Sequence, residues 1–536
     1  MTTALSLKVH SQLPQALSHV LATPSATELD QLWWRFQADE KQLRETYSIL
    51  CNGSHGSALH YLMRSGNSDY AHAVNASLHN ASLDVAHKLL EADYWDRALR
   101  KTDIADHMPA ARKEEWAEQI KSLSFPAFTL ESIYSTLTTL LNERDRFFAE
   151  RVEGFYRALS GDHLTNSINP SGFFNRMIVA NVHDDGSTNS RKCEYISDLR
   201  YVLGRFLKRE GKVSSMATSR LIERLLKSSG EWHEVDGGTL KMKVFLKGTV
   251  HIEVNPDIAW QLNEILAVLY PKAIAAEYRT KQKKEVKEFN LSKRLLSFDV
   301  IDKLTEIRPV YDSRRMRVKN AYGLSYCDDK HLYAKCKEVI SLIGGIELRW
   351  NEFHFDYDPS EILREICNTG TVPDKASHQF YPTPEPLAQK MANLLGALPG
   401  DNILEPSAGI GNLAKLLHGN VTCVEVSPLF CKVLEKTQAT VVQADFMKWQ
   451  VEAKASNNLF AGILMNPPFS MGRAFDHIAA ASELLMPNGV LVALVPSASA
   501  AKFKAQMQRN VEVFPVDAED FAGVSIDLSI VRFTKV

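Results

Sequence analysis

Asn402-Ile403-Leu404-Glu405-Pro406-Ser407-Ala408-Gly409-Ile410-Gly411 sets a short apolar run, ending in an acid, against a turn that carries two glycines. Asn402 to Glu405 reads as a buried strand and Asn412 to Leu417 as a helical run, so the turn is a strand-to-helix crossing. Glycines there let the backbone approach a ligand closely, and Glu405 stands beside them at the strand's end. The spacing is G-x-G with no third glycine, which leaves the dinucleotide fingerprint incomplete.

Three more strands follow. Val421 to Val426 carries Glu425, twenty positions after Glu405, where an acid can accept from ribose hydroxyls. Thr440 to Ala444 ends in Asp445-Phe446, and Asp445 is also a candidate N-cap for the next helix. Ala461 to Met465 stops at Asn466-Pro467-Pro468-Phe469. Four strand ends thus converge on one side of an α/β, doubly wound, mostly parallel sheet. After them a helix (Arg473 to Leu485), a break at Pro487-Asn488-Gly489, a fifth strand (Val490 to Val495) and two more strands (Val511 to Phe514, Ser525 to Phe533) complete the expected set.

The prolines of the fourth strand end cannot continue a ladder or a helix, and they remove two N–H donors. The turn therefore presents acceptors, the Asn466 side-chain carbonyl and the Pro467 backbone carbonyl. A flat exocyclic amino group suits them. Donating both N–H groups draws its nitrogen toward a tetrahedral, nucleophilic form with no strong base, and Phe469 offers a face for a planar base. By itself the tetrapeptide is equally compatible with an ordinary strand-to-loop exit.

Glu405-Pro406-Ser407-Ala408-Gly409-Ile410-Gly411 together with Asn466-Pro467-Pro468-Phe469 resembles the class I S-adenosylmethionine-dependent methyltransferases, specifically those acting on the N6 amino group of adenine in DNA. Gln379-Phe380-Tyr381-Pro382-Thr383-Pro384-Glu385-Pro386 looks like their motif X, placed before motif I as in the gamma class. Its Phe-Tyr-Pro-Thr-Pro is one residue longer than the commoner Phe-Tyr-Thr-Pro. The resemblance implies a Rossmann-like methyltransferase domain at the C-terminus. It implies S-adenosylmethionine as cofactor, held by Tyr381, Thr383, Pro384, Glu405, Pro406, Ser407, Gly409, Gly411, Glu425, Asp445 and Phe446. It implies Asn466, Pro467, Pro468 and Phe469 as catalytic residues, no metal, and duplex DNA as partner, its target adenine flipped into the pocket. The same turn also serves enzymes that methylate RNA bases or the side-chain amide of glutamine in proteins. A third reading is an inactive DNA-binding or antirestriction protein, against which the intact Gly409, Gly411, Asn466 and Phe469 count.

The chain has 536 residues, 45% hydrophobic and 24% charged, which is ordinary globular composition long enough for several domains. A net charge of −2 means that any nucleic-acid surface must come from local patches. Seven cysteines without a C-x-x-C pair and seventeen scattered histidines give no metal-ligand spacing. Met1 to Leu21 lacks a basic start and a continuous apolar core, so a cytoplasmic location in a bacterial or phage-infected cell is expected.

Four regions are expected: 1–160, helical; 161–290, α+β; 291–374, a basic segment with a small α+β subdomain; and 375–536, the methyltransferase domain. Helices are expected from Thr27, from Leu83 to Leu99 and from Leu130 to Leu159, with a turn-rich break at Asn52-Gly53-Ser54-His55-Gly56-Ser57. Ile196 to Arg209 and Met216 to Lys227 form a candidate helix-turn-helix presenting Arg220 and Arg224, and Leu240 to Phe245 with Val250 to Val254 a hairpin. Met1 to about Asn290 is similar to the poorly understood domain that precedes the methyltransferase in a group of phage and plasmid enzymes. Between Tyr278 and Lys319, thirteen Lys and Arg against six acids leave a local +7 (13 − 6). Arg314, Arg315, Arg317 and Lys319 are the candidate DNA phosphate contacts there, a solvated linker being the alternative. The expected core leaves no room for a target-recognition domain after it, so the N-terminal 374 residues are expected to select the substrate in a solitary methyltransferase.

Overall fold

A computed structural model describes residues 26–51, 81–101, 104, 108–159, 172–174, 176–184, 187–269, 274–281, 292–469, 472–506, 511–517 and 527–535. The chain divides into two compact units, one of residues 1–208, 212–232 and 239–282, the other of 209–211, 233–238 and 283–536.

The first unit is mainly helical: α1 (Ala26–Cys51), α2 (Leu83–Lys101), α3 (Ala110–Lys121), α4 (Leu130–Asn142), α5 (Arg144–Ala158), α6 (Ser190–Phe206), α7 (Ser215–Leu226) and α8 (Pro256–Leu269). The helix expected over Leu130 to Leu159 is two helices, because Asn142, a poor helix interior residue, and Glu143 interrupt it. Trp95 and Phe128 pack edge to face, 5.2 Å apart, at the centre of the core that α1, α2 and α4 share. The hairpin is found as β2 (Leu240–Val244) and β3 (Val250–Val254), with β1 (Met177–Val179) on the other side of β3, all antiparallel. Arg220 and Arg224 of α7 are half-buried and engaged with other groups, which leaves no free arginine face on that helix. The break expected at 52–57 and the region boundary expected after residue 160 lie outside the described residues.

The second unit contains α9 (Phe298–Leu304) and a four-stranded antiparallel sheet of β4 (Arg308–Tyr311), β5 (Arg317–Gly323), β6 (Ile346–Arg349) and β7 (Glu352–His354), ordered β6-β7-β5-β4. Helices α10 (Lys330–Leu342) and α11 (Ser360–Thr369) complete this subdomain. Its core of Tyr322, Ile340, Phe353 and Ile366 continues without a break into Phe380, Ile410 and Phe430, so packing is continuous across residue 374.

The remainder is α12 (Glu385–Leu395), β8 (Asn402–Pro406), β9 (Asn420–Glu425), α13 (Pro428–Leu434), β10 (Thr440–Gln443), α14 (Phe446–Ala455), β11 (Phe460–Met465), α15 (Arg473–Glu483), β12 (Leu485–Pro496), α16 (Ser497–Gln506), β13 (Val511–Pro515) and β14 (Leu528–Thr534). The sheet order is β10-β9-β8-β11-β12-β14-β13, with β14 antiparallel to both neighbours and the first five strands parallel. Apolar side chains cover both faces: Leu387 and Met391 of α12 on one, Ile478 of α15 and Phe503 of α16 on the other. This is the doubly wound, Rossmann-like architecture. The strand order reverses between β8 and β11, and such a sheet binds ligands beyond the carboxyl ends of the strands at that point.

Two local readings change. Asn412 to Leu417 is not a helix but a single short turn at Ala414–Leu416, since the chain must reach β9 at Asn420 within a few residues. Pro487-Asn488-Gly489 does not precede the fifth strand but lies inside β12, where Asn488 takes φ 63° and the register against β11 shifts.

Candidate active site

The turn after β8 is tightly wound: Ser407, Gly409 and Gly411 have φ values of 60°, 57° and 79°. A side chain at Gly409 would place its Cβ 2.8 Å from the Phe380 ring, and one at Gly411 would meet Leu434 at 2.7 Å. Glu425, at the end of β9, fixes the turn. Its carboxylate accepts from Gly409 N and from Ser427 N, both at 2.8 Å.

Beside the turn lies a cavity of about 460 Å³, a volume suited to a small-molecule cofactor. Its wall brings together Tyr381, Thr383, Glu405, Ser407, Gly409, Glu425, Asp445, Phe446, Asn466 and Pro468. Ten of the residues singled out in the sequence therefore meet at one place. Asn466 is oriented from one side: its Nδ2 donates to the Tyr381 carbonyl at 3.0 Å and to Thr383 Oγ1 at 3.1 Å. Because a backbone carbonyl can only accept, this pairing assigns the amide nitrogen to the Tyr381 side and leaves Oδ1 as the free acceptor. Asn412 Nδ2 donates to the Thr383 carbonyl at 2.9 Å, so the same loop is also tied to the turn after β8.

Two buried carboxylates give the cavity its electrostatic character. Burial, reinforced by the neighbouring charge of Glu425, pushes the Glu405 carboxyl up to about 8, against a pull from the Ala414 N–H. Burial also raises Glu425, opposed by the N–H groups of Ser427 and Gly409. Asp445 caps α14, accepting from Met447 N at 2.8 Å and Lys448 N at 3.3 Å, while lining the cavity. Asp445 therefore caps a helix and lines the cavity at once.

Pro384, Pro406, Gly411, Pro467 and Phe469 stand outside the cavity wall. Pro384 is the N-cap of α12 and Pro467 is buried, whereas Phe469 is half-buried against the core that includes Leu387 and Leu464. Arg314 and Arg315 sit at the β4–β5 turn, Arg317 and Lys319 at the start of β5, and Arg317 is engaged with Asp358 at 3.2 Å. Sequence reasoning missed Phe380, Phe430, Lys448, Arg473 and His477 on the wall. Phe380 stacks at a tilt on Phe430, ring centroids 4.4 Å apart, and His477 lies 5.5 Å from Phe446. Phe380 was within the quoted Phe-Tyr-Pro-Thr-Pro stretch. The others carry no spacing signal, since α13, α14 and α15 bring them in from separate crossings.

Residues 87–272 match a family described as "Domain of unknown function (DUF4942)", less than half of the chain. No curated protein matches. Among solved structures, the chain is similar to TrmN from Thermus thermophilus, with 20% identity over 28% of this chain and 49% of that one, TM-score 0.24. It is similar to the methyltransferase SMU.776 complexed with SAH, at 16% identity over 27% and 48%, TM-score 0.23. It is also similar to a SAM dependent methyltransferase from Agrobacterium tumefaciens, at 17% identity over 32% and 64%, TM-score 0.23. The chain spans about half the length of the first two. Among the described residues, no helix is long and apolar enough to cross a membrane.

Proposed function

We propose that the chain is an S-adenosylmethionine-dependent methyltransferase whose acceptor is the exocyclic N6 amine of an adenine in DNA. The observation that carries this reading is the anchoring of Asn466, which holds one carbonyl acceptor at the rim of a cavity lined by two buried carboxylates.

The residues present fit the cofactor. A cation satisfies Glu405 and Glu425, whose burial otherwise disfavours their charged forms. Ser407, Gly409 and Glu405 would hold its methionine end and the turn, and Glu425, Asp445 and Phe446 its nucleoside. When bound, S-adenosylmethionine supplies a methyl group on a sulfonium, whose thioether is already a good leaving group. The chain's task is then positioning and the stabilisation of an amine that becomes cationic. Asn466 Oδ1 accepts from the amine N–H, and its Nδ2 is held by Tyr381 and Thr383, so the amide has no rotation to lose at the moment of reaction. Pro467 and Pro468 remove competing donors from the same turn.

Nucleoside mass spectrometry tests the reading: the protein is incubated with S-adenosylmethionine and unmethylated duplex DNA, with Asn466→Ala as control. N6-methyladenine that vanishes in the control is the expected result. Methyl transfer to RNA or to a protein amide instead would overturn the acceptor, and transfer to nothing while the cofactor binds would overturn the activity.

A further inference from the structure

The subdomain before the Rossmann-like sheet exposes aromatic and cationic side chains at one end of its antiparallel sheet. Strands β6 and β7 are joined by Trp350 and Asn351 alone, with Asn351 at φ 66°, and Trp350 is 63% exposed at this hairpin tip. Its neighbour Tyr326 is 65% exposed, with ring centroids 5.6 Å apart. The tip is held in place from beneath. Tyr333 stands 6.2 Å from the Trp350 ring and donates its hydroxyl to Glu347, whose carboxylate also accepts from Asn351 N at 3.3 Å and is paired with Lys337.

Register puts cations at the same end of the sheet as the hairpin tip. Arg308 pairs with Gly323, Gly323 with Glu352, and Glu352 with Arg349, so the two arginines stand in one cross-strand row at the Trp350 end of the sheet. The one acid in that row, Glu352, is taken by His354 Nε2 at 2.8 Å. Arg308 uses its guanidinium on the backbone carbonyls of Thr305 and Ile307 and remains exposed. At the other end of β5 the β4–β5 turn carries Arg314 and Arg315. The six steps from Arg317 to Gly323 separate the two ends by about 20 Å. Among the described residues, the side chains of Arg314, Arg315 and Arg349 make no ion pair with a carboxylate; Asp312, within the turn, accepts from the backbone N–H groups of Arg314 and Met316.

We infer that this surface docks an unpaired stretch of the DNA substrate, with bases stacking on Trp350 and Tyr326 and phosphates meeting Arg308, Arg349, Arg314 and Arg315. The inference rests on the DNA reading above. Charge complementarity names a polyanion, and the rings narrow it to unpaired strand. In a duplex each base is already stacked on its neighbours, and only phosphates and groove edges are on offer. An unpaired strand offers base faces, for which an exposed aromatic beside arginines is a stacking platform. Where the duplex opens beyond the extruded base, the unpaired neighbours gain binding here that offsets part of the cost of extrusion.

The test uses the full chain and a mixed-sequence, fluorescein-labelled DNA oligonucleotide, single-stranded or annealed, in fluorescence anisotropy titrations at several salt concentrations. A bromodeoxyuridine version is photo-crosslinked and the attached peptide sequenced. The single strand should bind tighter than the duplex and crosslink within residues 308–350. Trp350→Ala should weaken it about tenfold or more, and Trp350→Phe much less. Arg314→Ala with Arg315→Ala should flatten the plot of log affinity against log salt by about 1.4 units, two phosphate contacts at about 0.7 each on a single strand. Equal affinity of wild type and Trp350→Ala, crosslinks elsewhere, preference for the duplex, or tighter binding of the same sequence as RNA would each overturn the inference. Methylated DNA with an unchanged Trp350→Ala titration sinks this surface and spares the activity. Trp350-dependent strand binding without nucleic-acid methylation does the reverse.

Discussion

Asn466 Nδ2 reaches Thr383 Oγ1 at 3.1 Å across 83 positions of chain, so the acceptor turn and the loop before α12 form one hydrogen-bonded unit. Thr383 is itself almost wholly buried. Its replacement by Val removes one anchor and leaves the Asn466 amide half-satisfied, at a cost of about 1–3 kcal/mol. Thr383→Val should therefore lower kcat about tenfold, whereas Asn466→Ala, which removes the acceptor itself, should lower it about 10²–10³-fold. Cofactor Kd, measured by calorimetry, should change only a few-fold in both. A Kd that worsens as much as kcat would place Asn466 on the cofactor and not on the acceptor.

Gly409 combines φ 57° with a Cβ position 2.8 Å from the Phe380 ring, and its N–H is one of two that Glu425 binds. Gly409→Ala must strain the backbone by about 1–2 kcal/mol and also push Phe380 off Phe430. Weaker cofactor binding by at least tenfold, with a lowered Tm, is the expected outcome in calorimetry and thermal melts. Gly396→Ala is the comparison: φ there is 66°, but nothing lies within 4 Å of the added Cβ, so it should cost only the backbone strain.

Much of this sheet was legible because four of its seven strands run out at residue types that chemistry constrains: Glu405, Glu425, Asp445 and the Asn466-Pro467-Pro468 stop. What was not legible depends on tertiary context. No local pattern announces that Phe380 and Phe430 meet, since a loop and α13 approach from separate parts of the chain. The core that half-buries Phe469 is assembled from α12 and β11 among others, elements that the tetrapeptide does not contain. Charge counting found the basic turn at Arg314 and Arg315 but not Trp350, which becomes conspicuous only when the hairpin register leaves it at the tip.

In the first unit, within the segment that matches the family of unknown function, Arg151 and Asp198 form a buried pair at 3.3 Å. Asp198 also accepts from Ala110 N at 3.0 Å, and Arg151 donates to the Met108 carbonyl at 2.7 Å with its guanidinium 4.0 Å from the Tyr201 ring. Removing one partner leaves the other charge buried without compensation. Asp198→Ala should destabilise this unit by about 3–5 kcal/mol in urea unfolding, and Arg151→Met with Asp198→Leu together by clearly less. Equal losses for the single and double variants would mean that the pair's hydrogen bonds, and not the stranded charge, dominate.

Glu405 gives the chain a pH dependence whose sign can be worked out. In the unfolded chain its carboxyl titrates at an ordinary value near 4.5, whereas in the fold burial and the neighbouring Glu425 carry it up to about 8. Between these values the unfolded state has released a proton that the folded state keeps, so folding takes up a proton. The stability Glu405 contributes is complete below its unfolded value and is lost as pH rises toward its folded value. Without cofactor, Tm should fall from about pH 5 to pH 8 more steeply in the wild type than in Glu405→Gln. A cationic ligand beside Glu405 favours the charged carboxylate and should reduce that difference. Binding of S-adenosylmethionine near neutral pH should then release a proton, seen as a binding enthalpy that changes with the ionisation heat of the buffer. Glu405→Gln should lose this buffer dependence along with affinity. Parallel Tm profiles and a buffer-independent enthalpy in the wild type would show instead that Glu405 is ionised before the cofactor arrives.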